Sequence, residues 1–171
     1  MKPVLQSNLF LIGPMAAGKS SIGRSLAKRL GKKFYDSDEE IEKRTGVNVR
    51  WIFDLEGEEG FRLRETAVIT ELTRHSNIVL ATGGGTIVTP ENRKLLSKHG
   101  VVIYLKVSVE CQLQRLVDDY KRPLLDVPDR HAVLLKLVEE REQLYRKIAH
   151  FSIETDNCSI ATVTQEIIRF L

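Results

Sequence analysis

Cysteine is scarce in this chain of 171 residues: only Cys111 and Cys158 occur, far apart, with neither CxxC spacing nor a histidine cluster beside them. That pattern excludes a disulfide framework and a thiolate zinc site, and it points to the cytoplasm. The four histidines, His75, His99, His131 and His150, show no ligand spacing either and read as surface or capping residues. Long apolar runs are missing too. No stretch approaches the roughly 18 apolar residues of a membrane span, and residues 1–7 lack the apolar centre of a secretory signal. No membrane role is expected. Nor does charge of one sign dominate: 26 basic and 23 acidic residues leave a net +3. A nucleic-acid binder needs a dense basic stripe, so the expected partner is a small anion and not a polynucleotide.

What is present is enough apolar material, 42% of the residues, for one good core and one domain over 1–171. Apolar runs of strand length at 8–12, 33–35, 78–81, 101–105 and 151–154 alternate with segments of helical period. Those helical segments are 20–30, 61–74, 90–98, 109–119, 130–149 and 160–170, the first stopped by Gly31. Strands alternating with helices predict a three-layer α/β/α fold on a parallel sheet. The segment 118–129 is charged, carries Pro123 and Pro128, and reads as an exposed lid.

Residues 13–20, GPMAAGKS, fit the phosphate-binding pattern GxxxxGK[ST] and lie between a strand and a helix, as the pattern requires. Gly13 and Gly18 let backbone N–H groups close around phosphate oxygens. Lys19 reaches the outer phosphates, and the Ser20 hydroxyl suits Mg²⁺. Asp36 and Asp38 end the next strand. In extended backbone both carboxylates point to one side, one toward a metal and one toward a substrate hydroxyl, unless one merely caps the following helix. Gly83, Gly84 and Gly85 follow the strand at 78–81, where a bare backbone approaches a ligand or simply turns. Arg62 and Glu65 are spaced for an ion pair, which is usually a surface feature. Arg115 and Arg141 are ambiguous taken alone, whereas Arg122 lies in the lid and is placed to reach a transferring phosphate. Trp51, Phe53 and Phe61 read as core, with a pocket wall as the alternative.

In this order the motifs resemble the shikimate kinase family over nearly the whole chain, 9–168: the phosphate loop, Asp36-Ser37-Asp38, Phe61-Arg62 with Glu65, the glycine triplet, the run 122–125 (RPLL), and Arg141 before Leu144-Tyr145. The resemblance implies a P-loop fold like the nucleoside monophosphate kinases, with five parallel strands ordered 2-3-1-4-5, a substrate-binding region near 36–64 and a lid at 118–129. It implies a step of aromatic amino acid biosynthesis, with ATP as co-substrate and Mg²⁺ as cofactor. By that carry-over Asp38, Lys19 and Arg122 are catalytic, and Gly13, Ala16, Ala17, Gly18, Lys19, Ser20, Ser21, Arg115 and Arg122 hold ATP. Asp38, Arg62, Gly83, Gly84, Gly85 and Arg141 hold shikimate, while Ser20 and, through water, Asp36 serve the metal. Two arginines, Arg62 and Arg141, suit bidentate recognition of a carboxylate. The departures are Ala16-Ala17 where the family often carries glycine and Ser21 where threonine is common. The segment 155–159, expected near adenine, matches loosely. A monomer is expected. The competing readings are a gluconate or nucleoside monophosphate kinase, or a nucleotide-dependent switch; the guanine-reading Asn-Lys-x-Asp motif of a switch is missing.

Overall fold

The computed structural model describes residues 7–119 and 122–171. Strand β1 (Asn8–Ile12) is buried along its whole length and lies at the centre of a five-stranded sheet ordered β2-β3-β1-β4-β5. Its neighbours are β3 (Ile78–Ala81) and β4 (Gly100–Lys106), with β2 (Lys33–Asp36) and β5 (Phe151–Glu154) at the edges, and every pairing is parallel. Strands covered on both faces need apolar residues on both faces, and β1 supplies them alternately. Leu9 and Leu11 face α1 (Lys19–Leu30) and α7 (Ile160–Phe170), packing with Leu26 and Ile167. Phe10 and Ile12 face the opposite layer of α2 (Ser37–Thr45), α3 (Val49–Leu72), α4 (Pro90–His99) and α6 (Arg130–Ile148). Each such buried side chain contributes about 1.5–3 kcal/mol of transfer free energy.

Strands β3 and β5 and helix α7 have the bounds expected from sequence. The substrate-binding region is more helical than its sequence suggested. Helix α3 begins at Val49, where the Asn48 side chain accepts from Trp51 N–H at 2.8 Å. Gly57 (φ 70°, ψ −176°) breaks the regular path inside it, so two helical stretches meet there and Arg62 lies mid-helix. Helix α5 (Val109–Arg115) is shorter than expected, because Leu116 (φ −104°, ψ 6°) leaves the helical region. Nor is the lid segment wholly exposed. A short 3₁₀ turn spans Pro123–Leu125, and Leu125 packs, 1% exposed, with Met15, Leu116 and Leu134; Tyr120 and Lys121 lie outside the described residues.

Candidate active site

The site lies at the C-terminal ends of the strands, where open parallel sheets place their ligands. Chain leaving β1 enters the phosphate loop through Gly13, at φ 146°, where a β-carbon would lie 2.3 Å from the Leu105 carbonyl oxygen. Only glycine fits there. Ala16 adopts φ 62°, a left-handed conformation costing an alanine about 1–2 kcal/mol. The neighbouring structure holds it in place. Arg115 Nη1 donates to the Ala16 carbonyl at 2.8 Å and its Nη2 to the Thr155 carbonyl at 2.7 Å, and Gln112 Nε2 donates to the Met15 carbonyl at 2.9 Å. Arg115 thereby ties the phosphate loop to the 155–159 segment. Lys19 is buried, with Nζ donating to the Gly13 and Pro14 carbonyls at 2.7 Å each. Burial, with Arg122 adding to it, brings its ammonium down to about 7 against the pull of Asp38 and Asp36.

Asp36 and Asp38 do not share an extended strand. The chain turns helical at Ser37, so Asp38 stands in the first turn of α2. Asp36 is the residue that caps the following helix, and its second oxygen turns to Ser20. Its Oδ1 caps α2 by accepting from Asp38 N–H at 3.0 Å and Glu39 N–H at 3.2 Å, while its Oδ2 accepts from Ser20 Oγ at 2.5 Å. Asp38 Oδ1 is enclosed and has no hydrogen-bond partner among the described residues. Burial, with Glu65 and Asp36 adding like-charge repulsion, raises the Asp38 carboxyl to about 7, and Arg122 and Lys19 only partly offset them.

The glycine triplet is not a free turn. Gly83 N–H donates to Ser37 Oγ at 3.0 Å, so the hydroxyl between the two aspartates fastens the loop to α2. A β-carbon on Gly83 would come within 2.9 Å of Asp38 Oδ1, and one on Gly84 within 3.2 Å of the Met15 backbone nitrogen. The Arg62–Glu65 pair is not a surface pair either. Glu65 is fully buried, accepting from Arg62 Nη1 at 2.8 Å and from Thr86 Oγ1 at 2.7 Å. Burial works against the Arg62 charge, but Glu65 and Glu58 outweigh it and hold the guanidinium more firmly protonated than usual. From α6 comes Arg141, 7% exposed, with Nε unpartnered among the described residues. Tyr145, on the same helix, donates to the Gly84 carbonyl at 2.5 Å.

These groups border two adjoining cavities. One of about 240 Å³ is walled by Phe53, Phe61, Arg62, the glycine triplet and Arg141. The other, of about 190 Å³, is walled by Ala16, Gly18, Lys19, Ser20, Ser21 and Asp36. Asp38, Gly83, Gly84 and Arg122 line both. Phe53 and Phe61 pack ring to ring at 4.7 Å, whereas Trp51, expected in the core, is 54% exposed. Of the expected residues, Ala17 is buried in the core behind the loop and Arg115 is held by backbone carbonyls. Ser37 and Tyr145 emerge as site residues only from the fold. Their sequence signals are a hydroxyl between two aspartates and a tyrosine one helical turn after an arginine.

Sheet order, phosphate loop and flanking helices define a kinase of the P-loop class. The family model for "Shikimate kinase" matches residues 15–171. Curated relatives include the shikimate kinase of Legionella pneumophila strain Corby, 55% identical over 171 residues, covering 100% of this chain and 98% of the relative. That of Francisella tularensis subsp. holarctica strain FTNF002-00 / FTA is 55% identical over 165 residues, 96% of this chain and 94% of the relative. Among solved structures, shikimate kinase from Acinetobacter baumannii in complex with shikimate superposes with a TM-score of 0.95 at 48% identity, covering 96% of this chain and 92% of that one. The chain belongs to the shikimate kinase family, and it is an enzyme. A gluconokinase from Sinorhizobium meliloti has the same fold, with a TM-score of 0.61 at 15% identity over 98% of this chain and 92% of that one. Fold alone therefore does not choose the acceptor.

Proposed function

We propose that the protein transfers the γ-phosphoryl group of ATP to the 3-hydroxyl of shikimate, giving shikimate 3-phosphate and ADP. The observation that carries this reading is that Asp38 and Arg122 line both cavities, so a base and a cation stand where nucleotide and acceptor meet. The acceptor occupies the cavity of Arg62 and Arg141, whose guanidinium groups pair with its carboxylate. Asp38, whose enclosed Oδ1 has no partner among the described residues and whose carboxyl is raised to about 7, takes the proton of the attacking hydroxyl. The oxygen–phosphorus bond to the acceptor forms as the bond to the β-phosphate bridge breaks, and ADP leaves. Lys19 and Arg122 stabilise the charge on the γ-phosphoryl oxygens, and the backbone from Gly13 to Ser21 cradles the phosphates. Arg115 and the 155–159 segment border the adenine.

The donors fit Mg²⁺: Ser20 Oγ and Asp36 Oδ2 are hard oxygens 2.5 Å apart beside the phosphate loop, and magnesium takes one or two protein oxygens together with phosphates and water. When bound, the ion neutralises charge on the β- and γ-phosphates. The chain is proposed to act as one domain over 1–171, a cytoplasmic monomer without nucleic-acid or membrane partners. In support, the net charge is +3, and among the described residues no helix is long and apolar enough to cross a membrane.

A coupled assay of ADP release tests the reading across shikimate, quinate, gluconate and nucleoside monophosphates, with and without EDTA. Shikimate should stimulate release most, and EDTA should abolish it. Stimulation by another acceptor and none by shikimate overturns the substrate.

A further inference from the structure

The anchor for the acceptor's carboxylate and the backbone that faces its ring come from distant parts of the chain, α6 and the loop after β3. We propose that Tyr145 is a positioning residue that locks the two in register, a role that rests on the placement of the acceptor between Arg141 and the glycine loop. Four observations converge on its hydroxyl. Tyr145 is 2% exposed and donates to the Gly84 carbonyl at 2.5 Å. The Arg141 guanidinium, one turn earlier on the same helix face, interacts with the same hydroxyl. The Tyr145 ring stacks on Tyr104 of β4 with centroids 4.9 Å apart and planes at 19°, so the hydroxyl cannot swing away without unpacking the core. Burial pushes the phenol up to about 12, which leaves it a proton donor throughout the working pH range.

A phenol donates one hydrogen bond and accepts others. The proton of Tyr145 goes to Gly84, and the positive charge of Arg141 bears on the oxygen that remains an acceptor. Gly84 in turn lies against the phosphate loop, with room for no more than 3.2 Å between an added β-carbon and Met15 N. The glycine loop is thus clamped between the phosphate loop and α6, and the hydrogen bond on the α6 side of that clamp comes from the Tyr145 hydroxyl. Arg141 Nε finds no partner of its own among the described residues, which leaves the orientation of its guanidinium dependent on what surrounds it. The hydroxyl therefore acts first on the acceptor, held between Arg141 and the glycine loop, and less on the nucleotide, whose phosphates the backbone from Gly13 to Ser21 cradles.

Tyr145→Phe keeps the ring stack and volume and removes only the hydroxyl. A lost hydrogen bond of ordinary strength predicts a rise of about fivefold in KM for shikimate, with KM for ATP within about twofold and kcat nearly constant. Tyr104→Phe is the control, since it deletes a buried hydroxyl that bonds Glu142 and does not reach Gly84; both constants should stay at the wild-type value. Thermal melts establish that each variant is folded, and if Tyr145→Phe melts low, the same constants measured at 10 °C carry the test. An unchanged KM for shikimate in Tyr145→Phe overturns the inference. So does an equal rise in both constants, which marks general loosening of the site. A wild-type enzyme that shikimate does not stimulate instead overturns the substrate reading beneath it.

Discussion

A β-carbon on Gly85 would lie 2.1 Å from Nη2 of Arg62. The backbone at Gly85 is ordinary (φ −93°, ψ −2°), so any residue could adopt it, and glycine is needed there for space alone. Arg62 is the far end of a flexible side chain and would yield before the loop does. Gly85→Ala should therefore push the guanidinium off buried Glu65, lowering the melting temperature because that carboxylate loses its charged partner, and should raise KM for shikimate about tenfold, a cost of one charge-assisted contact. Steady-state kinetics below the melting temperature checks this, and a folded variant with wild-type KM removes Arg62 from acceptor binding.

Asp38 sets function against stability. Its carboxyl titrates near 7 in the folded protein and near 3.8 unfolded, so between those values the folded state holds the extra proton. Stability is thus lost as pH rises from about 4 to about 7 and the loss is complete above that. At 1.36 kcal/mol per unit the full penalty is of the order of 4 kcal/mol. Asp38→Asn should lower turnover by about 10²–10⁴ yet raise unfolding free energy, by more at pH 8 than at pH 5. Urea titrations at the two pH values decide it. Equal stability of the two proteins at pH 8 contradicts the buried-charge account, and retained turnover moves the base elsewhere. In the wild-type free enzyme kcat/KM should pass through a maximum near pH 7, falling below it as Asp38 takes up its proton and above it as Lys19 loses its own.

The strands were legible because each is a short apolar run with turn residues at its ends, and the phosphate loop because its residue types at that spacing serve one chemistry. What stayed hidden depends on distance along the chain. Nothing local to Glu65 tells that its helix face is buried against Thr86 and not solvated, so a spacing common on surfaces concealed a buried ion pair. Whether Asp36 turns to a ligand or caps the helix stayed open because Ser20, whose hydroxyl occupies the oxygen not used in the cap, precedes it by a whole helix. The Tyr145 hydroxyl meets a carbonyl in a loop separated from it by α4, β4 and α5. Gly57 hid α3 by dividing its apolar periodicity between two directions.

Arg141→Ala should weaken shikimate binding by about 1.5–3 kcal/mol, with a much smaller effect on a non-hydrolysable ATP analogue. Titration calorimetry with each ligand separates the two. Equal losses would give Arg141 a structural role and dissociate it from the carboxylate.

In the lid segment, Arg122 Nε donates to Asp119 Oδ2 at 3.1 Å, and Leu125 anchors the turn beneath Met15. Arg122→Ala should lower kcat by about 10²–10³ with little change in shikimate affinity, as expected of a cation acting on charge that develops during transfer. Amide exchange over 122–129 should slow when shikimate and a non-hydrolysable ATP analogue are both added. Exchange as fast as in the free protein would rule out closure of this segment over the site.

Trp51, the one tryptophan of the sequence, stands in the first turn of α3, on the helix that brings Phe53, Phe61 and Arg62 to the acceptor cavity. Its indole is 54% exposed and so emits from a watery environment that any shift of that helix alters. The unlabelled protein therefore has an optical reporter on the helix that walls its acceptor cavity, and no second indole dilutes the signal.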